Sequence, residues 1–356
     1  MKKSKTVLMA GVGCMVLGGL LLVCGFLMGG RPGFVIDEQG IHSAASVHQK
    51  DAASAHVLEK TELDDLQNIE INLAYADLSI IPSDGYYLEY RLTGSRPAPA
   101  WGVSDNTLSF QEGEASGNPF HFSFFSLDSF QSTDEEPYYV NLYVPREALL
   151  DTLQISSDYG DASLEELSCQ TASVSLDYGD LSISSLHCAD SVSVLCSYGD
   201  MDLGTLETGT CDFRAEYGNL SCDAITGTDG ILSLDSGNFR ADRLSFDQLT
   251  LENSYGNIQI QEGSIGQGEI SLASGDLTAA LSDTENLSVK NEYGDVSLQL
   301  EAPLSSYSCD LVTEYGEISL PEQSVSDSSG SAVYTSQGTG SGQISISCES
   351  GDIQIR

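Results

Sequence analysis

The chain has 356 residues, 53 of them acidic and 14 basic, for a net charge of −39 at pH 7. Such a chain repels phosphates, which argues against nucleic acid and leaves cations and basic surfaces as charged partners. Hydrophobic residues make up 40% and recur in register, so the composition is not that of a disordered chain.

Residues 1–5 read MKKSK, a basic tail. Residues 6–28 follow as 23 residues without a charge, long enough to span a bilayer as one helix. A secretory signal would be shorter and would end in small residues. Cleavage or lipidation at Cys24 is the alternative, but Val23 is bulky where a small residue is expected. Lys2, Lys3 and Lys5 precede the segment and only Arg31 follows it closely. The positive-inside rule then puts the N-terminus in the cytoplasm and the rest of this single-pass chain outside the cell membrane.

Residues 29–61 read as a polar, partly helical juxtamembrane stalk. His42, His48 and His56 lie in it, at a spacing that fits no common zinc pattern. Residues 62–150 read as an N-terminal cap with the first irregular coils. Within it, "AYADLSI" varies the motif of the later repeats, with Ala76 at the glycine position. A Phe-rich insertion carries Phe120, Phe122, Phe124, Phe125 and Phe130, read as cap core or as a partner-binding patch.

From residue 151 a Tyr/Ser-Gly-Asp-like corner recurs ten times. Its glycines are Gly160, Gly179, Gly199, Gly218, Gly237, Gly256, Gly275, Gly294, Gly316 and Gly351, mostly 19 residues apart, with last spacings of 22 and 35. The second and fourth residues after each glycine are apolar, as in Leu181 and Ile183. The third is polar, as in Ser182, and the fifth before is apolar, as in Val174. Alternation with period two means strands with one buried face. Nineteen residues are too few for two strands and a helix. They predict an all-β fold: a parallel β-solenoid, or β-helix, over residues 151–356. An antiparallel sandwich would make less of so strict a period.

Just before the glycine stands Tyr in seven corners and Ser236, Ser274 or Ser350 in three. Two residues earlier, the Ser corners carry Leu234, Leu272 and Cys348, while most Tyr corners carry something small or polar. The pattern predicts that the two positions share space, with Leu176 behind Tyr178 as the exception. A sugar-stacking strip is the functional alternative for the tyrosines. After the glycine comes Asp or Asn, with Glu317 the exception. Turn capping is the ordinary use of Asp and Asn there. Ca²⁺ held between Asp161, Asp180 and Asp200 is the one cation arrangement the columns offer. No other cofactor is implied.

Seven cysteines lie outside the membrane segment. Cys169 and Cys188 hold equivalent positions in adjacent coils, within reach of a disulfide but read first as two unbonded small apolar residues, and the other five occupy inward columns. Residues 322–342 read as a flexible insertion before a final coil. That coil ends the chain without a cap, so it is expected to leave an open edge or to self-associate. Arg214, Arg240 and Arg243 read as surface ion-pair partners. No nucleophile elbow, HExxH or P-loop lysine occurs, and no catalytic residues are assigned.

The passage "YVNLYVPREALLDTLQISSDYGDASL" and the recurring corners resemble a bacterial family of β-strand-repeat proteins of unknown function, labelled putative adhesins. The likeness covers residues 69–356. It implies a membrane-anchored, non-catalytic envelope or adhesion module whose partners are an envelope protein or a glycan. A scaffold or sensor for envelope-stress machinery is one alternative. A carbohydrate-active β-helix enzyme is the other.

Overall fold

The computed structural model describes residues 34–37, 40–43, 55–113, 137–326 and 330–356. The expected tail (1–5), transmembrane helix (6–28), much of the stalk and the five insertion phenylalanines lie outside them. Among the described residues no helix is long and apolar enough to cross a membrane. The chain divides into two compact units. The smaller comprises residues 1–56, 92–98 and 113–137. In it β1 (Phe34–Asp37) and β2 (Gly40–Ser43) pair antiparallel, so part of the expected stalk is strand rather than helix. β-Branched Val35, Ile36 and Ile41 favour that outcome.

The larger unit comprises residues 57–91, 99–112 and 138–356. Its chain-order strands begin with β3 (His56–Glu62), β4 (Asn68–Leu73), β5 (Asp77–Ser83), β6 (Tyr87–Leu92), β7 (Ala100–Ser104), β8 (Thr107–Gln111) and β9 (Tyr139–Pro145). The body follows: β10 (Leu149–Tyr159), β11 (Ala162–Tyr178), β12 (Leu181–Tyr198), β13 (Met201–Tyr217), β14 (Leu220–Ser236), β15 (Phe239–Tyr255) and β16 (Ile258–Ser274). The far end holds β17 (Leu277–Leu281), β18 (Asn286–Tyr293), β19 (Val296–Leu300), β20 (Tyr307–Tyr315), β21 (Ile318–Leu320), β22 (Gln323–Val325), β23 (Ala332–Ser336), β24 (Gly342–Ser350) and β25 (Ile353–Ile355).

β10 to β16 stack as parallel neighbours in the repeat register. Leu181 pairs with Met201 and Tyr178 with Tyr198. The predicted alternation is what selects the buried face. Leu164, Ile183, Val174 and Val194 are at most 2% exposed, while Ser182 between the columns faces water. Each fully buried Leu or Ile contributes about 1.5–3 kcal/mol, and every coil repeats the same set. Identical columns then fix the register, because a one-residue slip would turn each core residue outward.

The glycine corners have a steric cause. Nine of the ten have φ between +133° and +155°, a region L side chains resist. A Cβ at any of the ten would also strike the carbonyl oxygen of the corner beneath it. Beneath Ala76 no such corner glycine stands among the described residues. The strands beneath β4 and β5 are β8, paired as far as Gln111, and β9, paired from Tyr139.

The ends of the stack depart from chain order. The final coil, β24–β25, does not lie last. It sits between β18–β19 on one side and β20–β21 on the other, parallel to both. The outermost coil is β20–β21, covered by β23 and β22 running antiparallel to it. The stretch expected as a flexible insertion therefore supplies two capping strands. The expected open edge at the last coil is corrected by the same fact: both edges of β24 are hydrogen-bonded.

The N-terminal end repeats this plan. β4–β5 lies inside, between β10–β11 and the outer coil β8–β9. Antiparallel β7 and β6 cover the outer coil. A stack of parallel strands presents an unpaired edge at each end. Two short antiparallel strands cover each one, and at the N-terminal end β3 pairs in turn with β6.

Candidate functional site

Three ladders run along the glycine corners and form the most regular exposed surface of the larger unit. The first is the Asp/Asn column. Asp77 Oδ1 accepts the N–H of Asp161, Asp161 that of Asp180, and Asp180 that of Asp200, at 2.8–3.0 Å. The relay continues through Asp200, Asn219, Asn238, Asn257, Asp276, Asp295 and Asp352. Capping is thus between coils and not within a turn. Each side chain holds the amide of its equivalent one coil further on.

This places the Ca²⁺ candidates Asp161, Asp180 and Asp200 one above another, with one oxygen of each engaged by a backbone amide. Among the described residues no three His, Cys, Asp or Glu side chains gather as a metal site.

The second ladder is aromatic. Tyr75, Tyr159, Tyr178, Tyr198 and Tyr217 stack face to face, with centroids 4.8–5.0 Å apart and planes within 13° of parallel. That spacing is simply the distance between neighbouring strands. The expected volume sharing is corrected here. Leu176 is fully buried, yet Tyr178 is 46% exposed, matching Tyr159 and Tyr198 at 45% with Ser157 and Cys196 behind them. A Leu behind the ring displaces nothing. The small polar residues at that position serve another purpose: Asn253, Asn291 and Thr313 donate to corner-glycine carbonyls at 2.8–3.1 Å.

Beyond Tyr217 the column changes character. The strand pairings run Tyr217, Ser236, Tyr255, Ser274, Tyr293, Ser350, Tyr315, a strict alternation in space. It is not an alternation in sequence, because Ser350 enters between Tyr293 and Tyr315 through the displaced last coil. Tyr255, Tyr293 and Tyr315 are 59–68% exposed, against 45–53% for the stacked rings.

The third ladder is acidic. Glu292, Glu349 and Glu314 precede the last three corners, and Asp295, Asp352 and Glu317 follow them. All six are exposed. A groove of about 330 Å³ runs beside the second set, lined in part by Asp276, Asp295 and Asp352.

The thiols are structural. Cys169 and Cys188 pair across adjacent coils as expected, with Sγ atoms 2.9 Å apart and both fully buried. The hydrogen bond to Cys169 and burial hold the Cys188 thiol well above its ordinary value. Burial pushes Cys196 up to about 11, helped by Asp180 and Asp200, and Cys348 up to about 12. Such thiols stay protonated at neutral pH and are poor nucleophiles. Arg214 pairs with Asp212 and Arg240 with Asp242 on the surface, the ion-pair role expected for them.

Glu112 was not legible as a site residue. It is 2% exposed, and its Oε2 accepts the N–H groups of Ala74, Tyr75 and Ala76 at 2.8–3.2 Å. A carboxylate thus caps the Ala74–Ala76 corner. Nothing in the local sequence marks it, since the three amides it serves are 36–38 residues away.

A model of the Toastrack DUF4097 family matches residues 66–194 and, a second time, residues 189–356. No curated protein matches the chain. Similar solved structures include a putative adhesin from Bacteroides fragilis NCTC 9343, at 13% identity and a TM-score of 0.35, covering 85% of this chain and 97% of that one. A putative adhesin from Parabacteroides merdae ATCC 43184 has 12% identity and a TM-score of 0.39, covering 85% and 96%. A putative lipid binding protein from Parabacteroides distasonis ATCC 8503 has 14% identity and a TM-score of 0.39, covering 86% and 98%.

Proposed function

The chain belongs to the Toastrack DUF4097 family, and we propose that it is a non-catalytic β-repeat protein that acts as an adhesion or interaction module of the cell envelope. In this reading residues 6–28 anchor it as a single-pass membrane protein, with the stacked domain on the extracytoplasmic side. The partner is an envelope protein or glycan, and no cofactor is needed.

One observation carries the reading: the corner edge. Five tyrosines stacked at 4.8–5.0 Å continue into alternating exposed rings beside columns of carboxylates. Aromatic residues held rigidly at low entropic cost are what contact surfaces use. An edge of identical steps offers many weak contacts in series, which gives avidity rather than a single reaction centre.

The test uses the full-length protein in a bacterial host. Protease applied to intact cells should remove the stacked domain and leave the anchor. Purified protein should bind isolated envelopes without releasing reducing ends from their polysaccharides. Protection of the domain from protease would overturn the topology, and sustained release of reducing ends would overturn the non-catalytic reading.

A further inference from the structure

The alternating half of the tyrosine ladder is built differently from the stacked half. Between Tyr217 and Tyr255, Tyr255 and Tyr293, and Tyr293 and Tyr315 the intervening corner is a serine. Tyrosine corners there stand two coil spacings apart in register, about 9.7 Å, given 4.8–5.0 Å for one spacing in the stacked half. With the rings oriented as in the stacked half, each gap has room for one flat group at the distance that separates the stacked rings. The higher exposure of Tyr255, Tyr293 and Tyr315 shows that their faces are uncovered.

We propose that these three slots, floored by Ser236, Ser274 and Ser350, bind the arginine side chains of a basic peptide in polyproline II conformation. This rests on the reading of the protein as an interaction module and names a partner class for it. Flatness selects aromatic rings and guanidinium groups over bulkier ones. Charge then selects the guanidinium. The charge is graded along the slots: the first has Glu216 and Asp235 on one side and Asn219, Asn238 and Asn257 on the other, the middle one has Glu292 on one side and Asp276 and Asp295 on the other, and the last is flanked by Glu292, Glu349 and Glu314 and by Asp295, Asp352 and Glu317. A guanidinium stacks on an aromatic face and hydrogen-bonds carboxylates at its edge at the same time.

A cation lies over tyrosine faces elsewhere in the chain, there as an ammonium and without the flat stacking proposed for the slots. Lys60 Nζ lies 3.5 Å from the ring centroid of Tyr143 and 4.6 Å from that of Tyr87.

The spacing of the slots selects the backbone. A polyproline II helix repeats every three residues at 3.1 Å per residue, about 9.3 Å per turn, and so presents every third side chain along one line. That is close to the slot repeat of about 9.7 Å. An extended strand offers same-face positions at about 6.8 and 13.6 Å, and neither fits. The inferred occupant carries Arg at every third position over three turns.

The probe is a synthetic peptide of three Arg-Pro-Pro units, titrated against the full-length protein by fluorescence anisotropy. The decisive variant is Ser236→Tyr/Ser274→Tyr/Ser350→Tyr, which closes all three slots by extending the stacked ladder. It should fold, because Tyr178 already stands in front of a buried Leu176. Expected results are binding by the wild type, at least tenfold weaker binding by the variant, and similar weakening when Lys replaces Arg or when Arg recurs every second residue. Equal binding of the Lys peptide would reduce the contact to point charge and overturn the proposal. So would undiminished binding by the slot-filled variant, absence of peptide binding, or occupation of the slots by a neutral β-linked oligosaccharide instead. If envelope binding persists in the slot-filled variant, the slots are wrong and the interaction-module reading stands.

Discussion

Glu317 donates its backbone N–H to Oδ1 of Asp352 at 2.8 Å, although 35 residues separate them. The bond fixes the order of the last coils. Asp352, from the end of the chain, caps a coil made earlier. It also explains why Glu317 alone departs from Asp and Asn. Its coil is outermost, and no parallel coil lies beyond it to receive a cap.

Deleting residues 343–356 should therefore do more than shorten the stack. It removes the strands between β18 and β20 and leaves both neighbours with unpaired edges. Hydrogen exchange should show lost protection throughout β20 and β23 as well as in β18. Loss confined to the deleted residues' own bonds, with β20 still protected, would mean that β20 can close directly on β18.

The Asp/Asn relay separates hydrogen bonding from charge. Asp180→Ala removes the acceptor for the amide of Asp200 and should cost about 1 kcal/mol in urea denaturation. Asp180→Asn keeps an acceptor and removes one charge from a column of carboxylates. It should be neutral or stabilising in low salt, with the advantage shrinking as salt screens the column. A loss for Asn as large as for Ala would show that the charge matters and the bond does not.

Much of this was legible in the sequence, and the reason is redundancy. Columns such as Leu181, Met201, Leu220 and Phe239 state the same strand position many times, so strand type, buried face and register all follow. Coil order at the ends was not legible for the same reason. Identical columns make every coil a suitable neighbour of every other, and the spacings of 22 and 35 residues do not say which is chosen. The volume trade read from Tyr and Leu failed because the ring packs on the next coil's ring, a contact that lies along the stack and not within the strand.

Glycine corners differ sharply from glycine elsewhere in the sheet. At Gly218, with φ +151°, a Cβ would strike the carbonyl oxygen of Gly199. At Gly102 in β7 nothing lies within 4 Å. Gly218→Ala should cost about 3 kcal/mol or more, whereas Gly102→Ala should stay within about 0.5 kcal/mol. Paired thermal melts give the comparison. Equal shifts would mean that the corners relax around a methyl group.

Glu112 serves three amides with one oxygen, so its loss leaves buried donors unsatisfied. Glu112→Ala should cost about 3 kcal/mol or more, while Glu112→Gln, which retains a carbonyl acceptor, should cost roughly 1 kcal/mol. Proteolysis at the Ala74–Ala76 corner is a local readout. It should rise for Ala well before the global melt, and an unchanged cleavage rate would place the stabilisation elsewhere.

The buried thiols predict an alkaline limit. Burial pushes Cys211 and Cys222 up to about 12 from an ordinary value of 9.0. The folded chain therefore holds these protons where the unfolded chain has released them. Their contribution is fully present below about pH 9 and is lost as pH rises through the folded values, at about 1.4 kcal/mol per pH unit for each thiol. Cys211→Ala/Cys222→Ala lowers stability at every pH by opening cavities, so the midpoint alone is uninformative. The slope is informative. Urea denaturation at pH 8 and pH 10.5 should show a smaller decline for the double variant than for the wild type. Identical declines would show that other groups set the alkaline limit.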